Sequence, residues 1–160
     1  GTLKIYYDNK GITWKSENKR LRAYVSFKTL EKLDAAAGSH VNVNGTINTD
    51  KFVLHVSSGA GFAGSINATE LTADVSSGAG IKITGQADKL TVDASSGANF
   101  KGYDFTADYC NASASSGADI QVTSNKEISA KASGGADIRY KGTALIRDLK
   151  TSGGGAVKKA

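Results

Sequence analysis

Between Leu71 and Ile83 the apolar residues fall on alternate positions: Leu71, Ala73, Val75, Ala79, Ile81 and Ile83. Asp74, Ser76, Gly78, Gly80 and Lys82 hold the other parity. A period of two predicts a strand, because successive strand side chains point to opposite faces. The next stretch repeats the pattern, with Leu90, Val92, Ala94, Ala98 and Phe100 against Asp93, Ser95, Gly97, Asn99 and Lys101. The alternation reads as running in phase through the intervening Ser-Ser-Gly, with Ser77 and Ser96 on the inward parity.

These strands recur. Ser57-Ser58-Gly59-Ala60-Gly61 returns at Ser76, Ser95 and Ser115, then as Ser133-Gly134-Gly135-Ala136-Asp137 and Ser152-Gly153-Gly154-Gly155-Ala156. An upstream copy is Ala36-Ala37-Gly38-Ser39-His40. The central glycines are 38, 59, 78, 97, 117, 135 and 154, spaced by 18 to 21 residues. Such a period fits leucine-rich repeats or a β-solenoid, and the copies lack the leucines and Asn ladder of the former. Stacked copies give columns. One is Val41, Phe62, Ile81, Phe100, Ile120, Ile138, Val157; a second is Ala60, Ala79, Ala98, Ala118, Ala136, Gly155. A third is Ser58, Ser77, Ser96, Ser116, Gly134, Gly153, read as a place where the walls of the coil come close. A further column holds Leu33 and Leu54, then Leu71 or Ala73 depending on register; Leu90, Cys110 and Ile128 lie nearby. Gly45, Gly64, Gly85, Gly102 and Gly142 are expected at one corner, where Gly45-Thr46-Ile47-Asn48 matches Gly64-Ser65-Ile66-Asn67.

The pattern predicts an all-β fold, a single-stranded right-handed parallel β-helix of about seven rungs, handed by the usual crossover rule. Residues 34–160 would form the repeats in one continuous domain. Residues 1–33 would be strands capping them, at Leu3–Tyr7 and Leu21–Phe27.

Composition supports this. The 160 residues include 19 Gly, 22 Ala, 17 Ser and no Pro. Proline would remove a backbone donor that each rung needs for its neighbour. A single cysteine excludes a disulfide scaffold. No apolar run is long enough for a membrane span. There is no methionine, so Gly1 reads as a cleaved or processed start. The net charge of +5 is local, because residues 1–33 hold eight Lys/Arg against three acids and the remainder is neutral. Lys15, Lys19, Arg20 and Arg22 could meet a polyanion, or could simply form a solvated turn.

Candidate chemistry lies on the outward columns. Asp34, His55 and Asp74 could hold a metal or move a proton, and Asp74 with Asp93 has the close spacing of retaining-glycosidase carboxylates. The plainer reading of Asp34, His55, Asp74, Asp93, Ser113, Lys131, Lys150 is an exposed mixed-charge ladder. Asn99, Asp119 and Asp137 run beside a basic stripe of Lys82, Lys101, Arg139 and Lys158, interrupted by Gln121. Either these are exposed ion pairs or the stripe touches acidic glycans and the acids are catalytic. The candidate contact face is Ser57, Ser76, Ser95, Ser115 and Ser133 with Gly59, Gly78, Gly97, Gly117 and Gly135, flat and almost bare of side chains. It is either a docking surface or merely what a tight corner demands. Cys110 reads as a buried, inert thiol. Trp14, Tyr6, Tyr7 and Tyr24 read as core or cap cover, with sugar stacking as the alternative. Asn44, Asn67 and Asn111 open N-x-Ser/Thr triplets, which so Ser/Thr-rich a chain produces by chance. Beyond the mixed-charge ladder no residues point to a metal site, and none point to a cofactor, a phosphate loop or nucleic acid.

The tandem Ser-Ser-Gly-Ala/Asp copies carry a family resemblance. They are preceded by Gly-Thr-Leu-Lys-Ile-Tyr-Tyr (1–7) and by Tyr24-Val25 leading to Thr29-Leu30-Glu31-Lys32-Leu33. Together they resemble the bacterial auto-transporter adhesin head GIN domain family, a domain of unknown function common in Bacteroidetes cell-envelope proteins. The likeness covers nearly the whole chain. The family's usual start lies earlier, so a truncated N-terminus is expected. The resemblance implies a β-helix, export to the periplasm, outer membrane surface or extracellular space, and a protein or glycan partner at the cell surface. It supplies no catalytic motif. A non-catalytic adhesin-like binding module is therefore the leading reading. A structural or homo-oligomerising envelope module and a polysaccharide-acting β-helix enzyme are the alternatives.

Overall fold

A computed structural model describes residues 1–6 and 21–160. Its strands are β1 (Lys32–Ala35), β2 (His40–Val56), β3 (Gly61–Val75), β4 (Gly80–Ala94), β5 (Asn99–Ala114), β6 (Asp119–Ala132), β7 (Asp137–Lys141), β8 (Leu145–Thr151) and β9 (Ala156–Lys159). Every pairing is parallel, in the order β1-β2-β3-β4-β5-β6-β7-β9, with β8 also on β6. The chain coils into a parallel β-solenoid of about seven turns, with no helix among the described residues. The last long turn is broken at residues 142–144, which is why β7 and β8 share the neighbour β6.

The register reproduces the sequence columns. Val41, Phe62, Ile81, Phe100, Ile120, Ile138 and Val157 are successive partners. A second large column is Phe52, Leu71, Leu90, Cys110, Ile128. The open register question resolves as Leu33, Leu54, Ala73, Val92, Ala112, Ala130, so Leu54 stacks on Ala73 and not on Leu71. Burying each Phe, Ile or Leu contributes roughly 1.5–3 kcal/mol. Small alanines fill the narrow part, and Ala60, Ala79, Ala98, Ala118 and Ala136 are all nearly inaccessible. Among the described residues Ser124 is the buried polar side chain, and its hydroxyl donates to the Glu127 carbonyl at 2.9 Å.

The serine column behaves differently from expectation. Ser58, Ser77, Ser96 and Ser116 are exposed, with φ of 51 to 54°, each followed by a glycine with φ of 70 to 74°. Two successive positive φ values, closed by Ala60 N–H donating to Ser57 C=O at 3.1 Å, make a type I′ turn. The strand alternation therefore stops at the motif, and Ser58 and its equivalents do not line a narrow interior. The left-handed pair also flips the peptide between them. Gly59 N–H donates up to Ser77 C=O at 3.0 Å, whereas Ser76 N–H on the flanking strand donates down to Val56 C=O at 3.0 Å. The turns thus form their own ladder, and Ala37–Gly38 joins it through Gly38 N–H to Ser58 C=O.

The corner glycines also need correction. Gly45, Gly85 and Gly142 have positive φ, but Gly64 and Gly102 do not. Gly64 pairs with Ile83, two residues from Gly85, so the five are not one column.

The strand expected over Leu21–Phe27 is not formed, and Leu3, Ile5, Tyr6, Leu21 and Tyr24 are largely exposed. Among the described residues no strand pairs with their backbone. The first apolar side chains packed on the core are Leu30 and Leu33. Tyr7, Trp14, Lys15, Lys19 and Arg20 lie outside the described residues.

Candidate functional site

Each turn of the solenoid presents a flat ridge at its type I′ turn. Ser57, Ser76, Ser95, Ser115 and Ser133 are half-buried along it, and Gly59, Gly78, Gly97, Gly117 and Gly135 are exposed. The line is straight because Ser76, Ser95, Ser115 and Ser133 each donate a backbone N–H to the rung below, at 2.9–3.0 Å. A shallow groove of about 420 Å³ runs beside the serines, with Asp74, Asp93, Ser113 and Lys131 as its other wall.

That wall is the expected outward ladder. Asp34, His55, Asp74, Asp93, Ser113, Lys131 and Lys150 are partners rung by rung. His55 Nδ1 lies 2.8 Å from Asp74 Oδ2, while Asp34 turns to Lys32 at 3.4 Å. The structure thus divides the expected Asp34–His55–Asp74 constellation into two pairs. Among the described residues no three His, Cys, Asp or Glu side chains could jointly hold a metal ion.

On the other side of the ridge, Asn99, Asp119 and Asp137 are in register, and so are Lys82, Lys101, Gln121, Arg139 and Lys158. Arg139 donates to Asp137 Oδ2 at 2.7 Å and lies 4.0 Å from Asp119 Oδ2. Gln121 Nε2 donates to Asp119 Oδ1 at 3.3 Å. Like charges one rung apart are unfavourable, and Arg139 offsets them. Asp119 and Asp137 Oδ2 are engaged by this pairing, Asp137 Oδ1 is buried with no hydrogen-bond partner among the described residues, and Lys82, Lys101 and Lys158 are exposed. Beside them Tyr103 lies where β5 shifts register against β6 between Gly102 and Thr106, and its ring lies under Lys141 Nζ at 4.2 Å. Burial pushes the Tyr103 phenol above its usual range, and Asp119 and Asp137 add to the shift.

Cys110 is buried at 5% exposure, and desolvation raises its thiol to about 12, which keeps it protonated and unreactive.

Sequence reasoning missed a second corner. Asn48, Asn67, Gln86 and Thr106 form one column, and Thr49, Ala68 and Ala87 the next. With Asp50, Thr69, Asp88, Asp108 and Asn125 they line a trough of about 700 Å³. The signal was present in the paired Gly-x-Ile-Asn segments at 45–48 and 64–67, noted only for their glycines. Ile47 and Ile66 are buried, so Asn48 and Asn67 face out. Beyond the trough runs a charged ladder, Lys51, Glu70, Lys89, Tyr109 and Glu127. The Lys51 ammonium, 3.3 Å from Glu70 with Lys89 at 3.5 Å, holds the Glu70 carboxyl below its usual range. Lys126 is raised by its hydrogen bond to Asp108 at 2.7 Å.

The profile of a family described as "Putative auto-transporter adhesin, head GIN domain" matches residues 1–144. No curated protein and no solved structure matches the chain significantly. That description is of an exported or surface-associated protein that meets surface partners. No helix of the described residues is long and apolar enough to cross a membrane.

Proposed function

The chain belongs to the auto-transporter adhesin head GIN domain family, and from that premise we propose a non-catalytic, adhesin-like binding module of the cell envelope. Its Ser/Gly ridge would meet a glycan or protein surface in the periplasm, on the outer membrane or outside the cell. The observation that carries the reading is the ridge itself, with five successive turns in line bearing nothing larger than serine. A partner can approach such a surface without immobilising long side chains, which otherwise costs about 0.5–1.5 kcal/mol each. Lys82, Lys101 and Lys158 on one flank and the Asp74–Lys131 groove on the other supply charge for orientation. The engagement of Asp137 by Arg139 and of Asp119 by Gln121 favours binding over polysaccharide cleavage.

The test compares wild type with Ser95→Arg on glycan and envelope-protein arrays, with light scattering for mass. Wild type should bind at least one surface component, and the variant should bind at least tenfold more weakly with unchanged circular dichroism. An absence of binding by the wild type would remove the proposal. A fall in mass on Ser95→Arg would transfer the ridge to the assembly reading.

A further inference from the structure

We propose that the trough at the corner after Asn48, Asn67 and Gln86 binds a neutral, polyhydroxylated glycan chain lying along the solenoid axis. The trough is a separate surface from the Ser/Gly ridge. In β3, for example, residues 70–75 stand between the trough residues 67–69 and the turn at 76–79.

The corner is built by the local sequence. Ile47 and Ile66 are at most 1% exposed and anchor the strand, so the preceding and following side chains turn outward. One residue after Asn48, Asn67 and Gln86 the column shrinks to Thr49, Ala68 and Ala87, and this small column is the floor. The chain then turns through Asp50, Thr69, Asp88 and Asp108, which form the second wall. Four rungs at about 4.8 Å give a length of roughly 15–20 Å, suited to a short chain and not a single sugar.

The chemistry of the walls selects the ligand. Amides and hydroxyls donate and accept, whereas carboxylates only accept. A sugar hydroxyl does both, so one wall can meet it in either sense and the carboxylates of the other accept its hydrogen bond. The amides are held in place, since Asn67 Nδ2 donates to Asn48 Oδ1 at 3.2 Å and Asn48 Nδ2 to the Thr46 carbonyl at 3.3 Å. Ala68 and Ala87 offer an apolar strip for the C–H edge of a ring.

Charge argues against a charged polymer. Asp50, Glu70, Asp88 and Asp108 on and beside the rim are opposed by Lys51, Lys89 and Lys126, three of whose contacts are 3.3, 3.5 and 2.7 Å. So nearly balanced a rim attracts neither a polyanion nor a polycation strongly. An extended peptide added as a strand is also disfavoured at the centre of the trough, because Asn67, Ala68, Gln86 and Ala87 already pair with rungs on both sides.

The test titrates cellohexaose, mannohexaose, xylohexaose and maltohexaose into the protein by calorimetry, and records amide shifts by NMR. At least one should bind, with shifts centred on Asn48, Asn67, Gln86 and Asp88. Asn67→Ala/Gln86→Ala changes outward side chains only, and should weaken that binding roughly tenfold, about 1.4 kcal/mol. Ser95→Arg should leave it unchanged. The proposal is overturned if no neutral chain binds, or if binding survives the double variant. It is overturned equally if Ser95→Arg abolishes binding, which would place the glycan on the ridge. Binding restricted to polygalacturonate or to oligolysine would also sink it.

Discussion

At the level of single residues, the glycines divide into two kinds that the sequence does not distinguish. Gly78 has φ of 70° with open space where a Cβ would stand. Gly85 has φ of 112°, and a Cβ there would lie 2.1 Å from the Ile66 carbonyl oxygen. The first position needs only the left-handed conformation, which costs an L-residue about 1–2 kcal/mol. The second adds a collision with the backbone of the neighbouring rung, which cannot swing away. Gly78→Ala should therefore lower stability by about 1 kcal/mol, and Gly85→Ala by about 3 kcal/mol or more. Urea denaturation checks the order, and equal losses would show that the two sites share one cause. Spacing made the turn glycines legible. It did not reveal which of the Gly45-to-Gly142 set carry the corner, because that depends on where each rung bulges, as β4 and β5 do between Lys82 and Gly85.

At the level of the rung, period-two alternation was legible because the strands β3 to β7 bury one face only. Phe100, Ile120 and Ile138 are fully buried while Lys101, at the next position, is exposed. The same rule failed at Ser77 and Ser96, since alternation assumes extended backbone and the turn is left-handed there. The N-terminal alternation at Leu21–Phe27 failed for another reason, because a pattern specifies a strand only where a neighbour accepts its hydrogen bonds. The outward columns were legible as columns, but their roles were not. Asp119 and Asp137 read as a possible acid pair until Arg139 was placed across them. Full pairing on both edges also accounts for the absence of proline. Thr91 shows the point, with its side chain facing out and Thr72 and Asn111 on either side. Thr91→Pro should cost about 3 kcal/mol or more by deleting a ladder donor. Thr91→Val, which keeps the donor, should cost under about 1 kcal/mol. Thermal unfolding followed by circular dichroism measures both, and a mild effect of proline would mean that this rung is not held by its backbone.

At the level of the whole molecule, a solenoid is a one-dimensional stack in which each rung contacts only its neighbours. β3 and β4 pair from Gly61–Gly80 to Val75–Ala94 with no shift of register, so β3 is a geometric substitute for β4. Deleting Ser77–Ser95 removes one repeat and joins Ser76 to Ser96, preserving the turn. Phe62 then stacks on Phe100, Leu71 on Cys110 and Ala73 on Ala112, each within its original column. The one poor match is Ile66 against Phe105, where Gly85 now stands. The shortened chain should fold to a β-sheet spectrum and unfold cooperatively. Its denaturant midpoint should be lower, and its urea dependence smaller in proportion to the lost surface. Deleting Ser77–Gly85 instead shifts the strand by an odd number of residues and sends its apolar side chains to the solvent face, so it should not fold. If both deletions unfold the protein, the rungs do not act as interchangeable units. If both fold alike, the columns are not what sets the register.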